Sequence, residues 1–463
     1  MKRDLARPSG VRTRAWRALV LTLTLLSAVA AFPANAPAAL VPGTPLWQQR
    51  IGTAESPGAF FSLATEPGGV VAAAGMSEAG GGEVLLVAKY AADGRELWAR
   101  TYPSFAGDAK ALSFDSQGDL YAGVELGGGN PNVAVVKLDA SGDVVWSDIY
   151  DHSGGWEWVT GLAVDADDNV VLCGDSEMYG PNTGLYVRKY DGAGSLVWGA
   201  TYRPPTTTGL IQCNDMALDT EGNVYVAGRR VTRGGDPNTT LVAKYASADG
   251  ARLWSDVFAG TDGTGAYLEG VAERDGRLAA CGGSGDPVWG DNAGLAMTYD
   301  PATGERLHTF DWGAGDQLRE WFHDVALDSE GRVAVTGIMS GGTDDPWQKA
   351  LTVKFDQDLG VVLWKRGHLP KTRYALGWRV AIDPADAVYV AGKRETGSGF
   401  PGFLTVKYSP TGERVWVRSP ARAGPYPAVL WGLALGRTGG VYVAGRAMTE
   451  DDVSQGVLRK YRR

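Results

Sequence analysis

The residues best suited to chemistry in this sequence recur at one repeated position. Spaced 49 to 55 residues apart, that position reads Phe61, Lys110, Thr160, Asn214, Glu269, His323, Trp378 and Trp431. If the chain closes into a ring, Trp378, Trp431 and Phe61 become neighbours and form one aromatic arc. Lys110, Thr160, Asn214 and Glu269, from units 2 to 5, then stand opposite with donors and acceptors. Arg379, Lys393, Arg394 and Arg446 add positive charge beside the arc. An apolar wall facing a few polar groups is the usual make-up of a small-molecule site. Flat rings suit the C–H face of a sugar, whose hydroxyls the polar groups would hydrogen-bond. The same arc also reads as an apolar plug on the axis, because large aromatics ordinarily go to cores. Both readings stand at this point.

No catalytic residue is assigned. The nearest approach to an acid–base cluster is Trp321-Phe322-His323-Asp324 with Asp215 and Glu269 in the corresponding stretches of neighbouring repeats, and carboxylates around a channel mouth can share a proton or hold a sugar. The G-x-S-x-G, H-E-x-x-H and phosphate-loop strings do not occur. Four His do not make a His-rich metal site. The acidic run Asp165-Ala-Asp167-Asp168-Asn169 lacks the Gly and Glu that a calcium loop needs at its sixth and twelfth positions, so turn chemistry is its reading. We expect no metal and no cofactor. Cys173, Cys213 and Cys281 read as small hydrophobes, and a Cys173–Cys213 bridge between neighbouring repeats is conceivable.

The elements that position these residues are repeats. Trp closes a short apolar run at 47, 98, 146, 198, 254, 364 and 416, with His308 in the missing place. A second ladder ends at Tyr90, Leu138, Tyr190, Tyr245, Tyr299, Phe355, Tyr408 and Tyr461, each preceded by Lys except Thr298. A third ends in Gly at 75, 174, 228, 282, 337, 392 and 445, with Gly123-Val124 as the variant. Each ladder has eight rungs. Each unit carries four short β-branched and aromatic runs, here named A to D, bounded by Gly, Asp and Asn. Four strands per unit, eight times, predict an all-β, eight-bladed β-propeller spanning residues 37–463. The chain opens on a D-type strand (46–52) and ends on a C-type strand (456–461), so the N-terminus completes the last blade and no edge is left at the seam. Strand A carries a small residue in every unit (Ala64, Ser113, Ala163, Ala217, Ala272, Ala326, Ala381, Ala434) behind a larger apolar one, as sheets converging on an axis require. The ladder Lys residues read as solvated ion pairs with Asp115, Asp165, Asp219, Asp328 and Asp383. Unit 5 lacks the ladder Lys, Trp and Asp together. Either the unit has drifted because it needs less stability, the reading taken here, or it faces something the others do not; His308→Trp is expected to be tolerated or mildly stabilising.

The D-x-x-G-n-v-y-v-a-G and K-Y-d-x-x-G-x-x-W strings resemble the bacterial SBBP β-propeller repeat family over about residues 45–461. That resemblance implies architecture and no common chemistry; the family name carries seven blades, whereas eight units are counted here. The Tyr-Asp-Pro-Ala-Thr-Gly-Glu-Arg-Leu-His string at 299–308 is similar to the docking motif of eight-bladed quinoprotein propellers. These include pyrroloquinoline quinone dehydrogenases and a non-enzymatic outer-membrane assembly factor. The adjacent Cys pair of many such dehydrogenases is absent.

Residues 1–36 read as a cleaved export signal: six bases, an apolar stretch over 18–32 and a small-x-small site at Ala34-Asn35-Ala36. Removing them leaves 38 basic against 52 acidic residues, a net charge of −14, which disfavours a nucleic-acid partner. With 65 Gly in 463 residues, a helical protein is excluded. No later run is long and apolar enough to span a bilayer. D–A and B–C connections are long and varied, and in a propeller both emerge on one face, where binding usually resides. The expected protein is therefore an exported, monomeric, non-catalytic binding module. Its ligand would be a carbohydrate or a protein on the variable-loop face. The alternatives are a secreted or periplasmic enzyme acting on sugars or a quinone at the channel mouth, and an envelope assembly scaffold.

Overall fold

The computed structural model describes residues 41–463 apart from 80, 130, 153–154, 177–183, 204–208, 232–236, 262, 286–292, 313–318, 342–346, 369–373, 396–399 and 420–426. The proposed export signal and much of the variable D–A and B–C loops lie outside the described residues. Among the described residues, thirty-two strands form eight four-stranded antiparallel sheets, one per blade. The protein is an eight-bladed β-propeller. The strands are short because Asx turns cut them. Asp165, for example, accepts the backbone N–H of Asp167 at 3.0 Å and of Asn169 at 2.9 Å, a geometry repeated at Asp115, Asp219, Asp328 and Asp383. The acidic run at 165–169 is thus a hairpin turn.

Closure is as the ends of the chain predict. Pro45–Ile51 pairs antiparallel with Ser454–Arg462 as the outermost strand of blade 8. Across the chain break the backbone imitates a C–D turn: Gly43 N–H donates to Arg462 O at 2.8 Å and Arg462 N–H to Thr44 O at 3.0 Å.

The ladder Trp rings stitch each blade to the next. Each lies on a turn glycine of the following blade, at Gly94, Gly142, Gly194, Gly250, Gly304, Gly412 and, at the seam, Gly43. All seven glycines have positive φ, and a Cβ on any of them would meet indole atoms at 3.0 Å or less. Only glycine satisfies both demands. Along strand A the larger residues Leu112, Val271, Val325 and Val380 fill the core with the preceding blade, while Ala64, Ala217, Ala272 and Ala326 face the following one.

The Lys ladder departs from expectation. Lys89, Lys137, Lys189, Lys244, Lys354 and Lys460 are buried. Their ammonium groups pair with a carboxylate at the A–B turn of their own blade, as in Lys189–Asp165 at 2.8 Å and Lys354–Asp328 at 2.6 Å, and several also donate to a turn carbonyl of the next blade, as Lys189 does to Ser247 O at 3.2 Å. Glu66 supplies the acid for Lys89 in blade 1, at 3.0 Å. These are interior ion pairs, not solvated ones.

Blade 5 also differs from expectation. At its interface with blade 6 the turn position that elsewhere holds glycine is Leu359, at φ 56° and buried in the shared core with Phe355 and Phe310. A Trp at 308 would meet that side chain. His308→Trp alone is therefore expected to cost about 1–3 kcal/mol by overpacking. Adding Leu359→Gly should recover most of it. A double-mutant cycle read by urea melts checks this, and purely additive effects would show that the two positions do not touch.

Candidate functional site

In every blade the innermost strand contains a β-bulge, and the bulged residue is in each case the member of the repeated position. The ladder to strand B skips Phe61, Lys110, Thr160, Asn214, Glu269, His323, Trp378 and Trp431. An extra residue in one strand leaves the pleat and re-aims its side chain. Eight equivalent bulges on the strands nearest the axis set these eight residues apart from the interblade cores.

The structure brings several together and separates others. Phe61 and Trp431 are in contact, ring centroids 5.1 Å apart, and Lys110 Nζ lies 5.1 Å from the Phe61 centroid. Lys110 is itself held by Asp108 at 2.9 Å and Glu125 at 3.4 Å. Trp378 does not extend this pair into one continuous arc. Its ring contact is with His323, at 4.4 Å, with Lys393 on its other flank at 5.9 Å. Asn214 donates its amide N–H to Leu268 O at 2.6 Å, committing it to the next blade. Phe61, Trp378 and Trp431 are each partly exposed, whereas His323 is buried. Trp378 Nε1 and His323 Nδ1 are both enclosed and have no protein partner. Trp321, in edge contact with His323, and Tyr374, below Lys393, complete this half of the site. Trp321 belongs to the cluster read from sequence, whereas Tyr374 does not, because its neighbour Lys393 comes from another strand.

Electrostatics divides binding groups from structural ones. Burial pushes the His323 imidazole down to about 3, with Arg379 and Lys393 adding to the effect. The ring is thus neutral at physiological pH and offers one acceptor. Burial raises the Glu269 carboxyl, against the opposing pull of Arg229 and Arg379. Asp215 and Asp324 occupy the position after the bulge, filled by Ser62, Ala111, Gly161, Gly270 and Gly432 in five other blades and by exposed Arg379 in blade 7. Asp215 accepts Val271 N–H at 2.9 Å and Asp324 accepts Val380 N–H at 2.7 Å. They are clasps between blades, which removes them from the acid–base cluster. Cys173 and Cys213 face each other with sulfurs 3.1 Å apart, both as free thiols. Among the described residues no group of three or more His, Cys, Asp and Glu is placed to hold a metal.

The Asp215 clasp predicts a pH effect. Burial pushes its carboxyl up to about 7, the nearby Asp324 adds to this, and Val271 N–H and Arg379 oppose it. A folded value above the unfolded ~3.9 means the contribution is full below about pH 4 and is lost as pH rises to about 7. Asp215→Asn keeps an acceptor for Val271 and removes the charge. It should melt like wild type near pH 4 and be more stable by about 1–3 kcal/mol near pH 8. An equal difference at both pH values would refute the linkage.

No protein-family model and no curated protein matches this chain. Among solved structures it is similar to Sqt1 from Chaetomium thermophilum bound to the N-terminus of the ribosomal protein L10. There the TM-score is 0.55 at 13% identity, covering 88% of this chain and 97% of that one. A second Sqt1 structure from the same organism gives 0.55 at 12%, covering 91% and 99%. A polysaccharide lyase of family PL25 is more loosely similar, at 0.47 and 10%, covering 88% and 95%. At such identities the likeness shows the fold alone.

Proposed function

We propose that this chain is an exported, non-catalytic binding module that holds a carbohydrate at the mouth of the central channel, on the face of the D–A and B–C loops. The observation that carries this reading is the adjacent pair Trp378 and His323. Its rings are in contact, and Trp378 Nε1 and His323 Nδ1 are enclosed without partners. A buried polar group without a partner is costly, and a ligand hydroxyl that both accepts and donates satisfies both atoms. The part-exposed Phe61–Trp431 pair offers a second apolar face. Binding is favoured over catalysis because Asp215 and Asp324 are committed to backbone N–H groups, and the imidazole, with its value near 3, is a poor base. The export part of this reading rests on residues 1–36, and the SBBP resemblance on the repeat strings.

The test is a glycan array and a thermal melt on residues 37–463, with Trp378→Ala and Trp431→Ala. The expected result is a bound glycan in wild type, lost in both variants with little change in melting. A stability loss of about 3–5 kcal/mol, typical of a buried Trp, with no glycan bound by wild type, would leave only a plug. Capture of a protein by the same face, with no glycan bound, would replace this reading by the assembly scaffold.

A further inference from the structure

The blade 5–6 interface differs from the others in a way that packing drift does not account for. At four of the other interfaces a single turn carbonyl of the following blade receives two donors; Gly192 O, for example, accepts Trp146 Nε1–H at 3.1 Å and Lys137 Nζ at 3.4 Å. Ala92 O accepts Trp47 Nε1–H at 3.1 Å and Lys460 Nζ at 2.7 Å. Ser247 O accepts Trp198 Nε1–H at 2.8 Å and Lys189 Nζ at 3.2 Å. Pro301 O accepts Trp254 Nε1–H and Lys244 Nζ, each at 3.1 Å. The corresponding turn residue of blade 6 is Gln357, and both of its usual donors are gone, replaced by His308 and Thr298. Leu359 occupies the core beneath the missing indole. Among the described residues no side chain donates to the Gln357 carbonyl in place of the missing ammonium.

What remains is a cleft of about 490 Å³, lined among others by Thr298, His308, Gln357, Asp275, Asp300 and Asp358. Three carboxylates here face two guanidiniums: Arg277, whose stem lies across Gly331 of the next blade, and Arg274, whose Nε stands 3.4 Å from Asp275. His308 Nε2 stands 3.6 Å from Asp358. Thr298, only 7% exposed, has a hydroxyl oxygen enclosed without a partner. The cleft thus combines an acidic rim, a carbonyl stripped of its donors and a buried hydroxyl with no partner, at the site that a lysine chain fills elsewhere. Anionic ligands are disfavoured by the rim, and a neutral apolar ligand would leave the hydroxyl and the carbonyl unsatisfied.

We propose that the blade 5–6 cleft is a second binding site, taking a primary ammonium on an unbranched alkyl stem, the group that the ladder lysine supplies at other blades. The stem lies in the groove vacated by the Lys side chain. The ammonium donates to the turn carbonyl and Thr298 Oγ1 and is neutralised by the acidic rim. This chemistry arrives either as a lysine side chain of a partner protein or as a free alkylamine.

Calorimetric titration of residues 37–463 tests it with three probes: n-butylammonium, the neutral isostere n-pentanol, and the capped tripeptide acetyl-Gly-Lys-Gly amide. Saturable binding by both ammonium probes and none by the alcohol is expected. Peptide binding tighter by about tenfold or more identifies a partner's lysine as the occupant, and equal affinities identify a free amine. Thr298→Lys, which supplies its own ammonium, should melt higher than wild type and bind the probes at least about tenfold more weakly. Asp275→Asn, at an exposed residue whose φ of 52° suits asparagine, should weaken binding several-fold without affecting folding. Absence of saturable binding, equal binding of the alcohol, or unchanged affinity in both variants would overturn the proposal.

Discussion

Deleting residues 37–53 should cost the propeller several kcal/mol and make it aggregate more than residues 37–463 do. The segment contributes the outermost strand of blade 8, paired residue by residue from Trp47↔Lys460 to Ile51↔Gly456. It also contributes the Trp47 ring, 8% exposed and packed 5.9 Å from Tyr442 and 6.3 Å from Tyr90. Its loss exposes the edge of Ser454–Arg462 and empties an aromatic site at the 8–1 interface, where the ring closes. A buried Trp alone is worth about 3–5 kcal/mol. Arg418 loses a partner as well, since its Nε–H donates to Gly43 O at 2.6 Å. The measurement is a urea melt with light scattering on residues 54–463 against 37–463. Coincident melts would mean that the first strand is an ornament and that the ring closes without it.

The second large effect is expected at the most enclosed ion pair. Asp328 and Lys354 are 2.6 Å apart with side chains fully buried, and Arg332 approaches the same carboxylate at 2.6 Å. Asp328 also caps its own turn through Glu330 N–H and Arg332 N–H, both at 2.9 Å. Asp328→Ala leaves an ammonium buried without compensation and opens the turn, and should cost about 3–5 kcal/mol at neutral pH. Burial pushes the Asp328 carboxyl up, but Lys354 and Arg332 outweigh it and hold it below the usual range. A depressed folded value means the stabilisation is present above the unfolded ~3.9 and is lost as pH falls through the folded value. The deficit of the variant should therefore shrink in acid. Denaturant melts at neutral pH and near pH 3 check both parts, and a deficit under about 1 kcal/mol at neutral pH would show the pair to be solvated after all.

What was legible in the sequence was whatever repeats locally. Asp at the turn start, Gly at its end and β-branched alternation each act within six residues of the chain, so eight copies spell out eight blades. The seam was legible too, because a D-type string at one end and a C-type string at the other have only each other to pair with. The small-beside-large pattern of strand A announced convergence on an axis for the same reason. The repeated position Phe61 to Trp431 was found by alignment of the repeats, without the bulge that explains it. A bulge is a relation between two strands, and neither strand records it alone.

Tertiary structure decided everything that depends on residues some 50 positions apart. The ladder lysines are held in the interior partly by the next blade's turn carbonyls, as Ser247 O holds Lys189, and no string around Lys189 contains that partner. Trp378 meets His323 and not Trp431, because side-chain direction at a bulge is set by the neighbouring blade. Asp215 and Asp324 look like free acids in the sequence and are clasps in the fold, since the N–H groups they hold belong to Val271 and Val380. The absence of Lys and Trp from blade 5 reads as drift along the chain and becomes a cleft only when Gln357, Asp358 and Leu359 of blade 6 are set against it. Local propensity and turn chemistry specify the elements. Contacts between blades decide which polar groups are satisfied and which are left for a ligand.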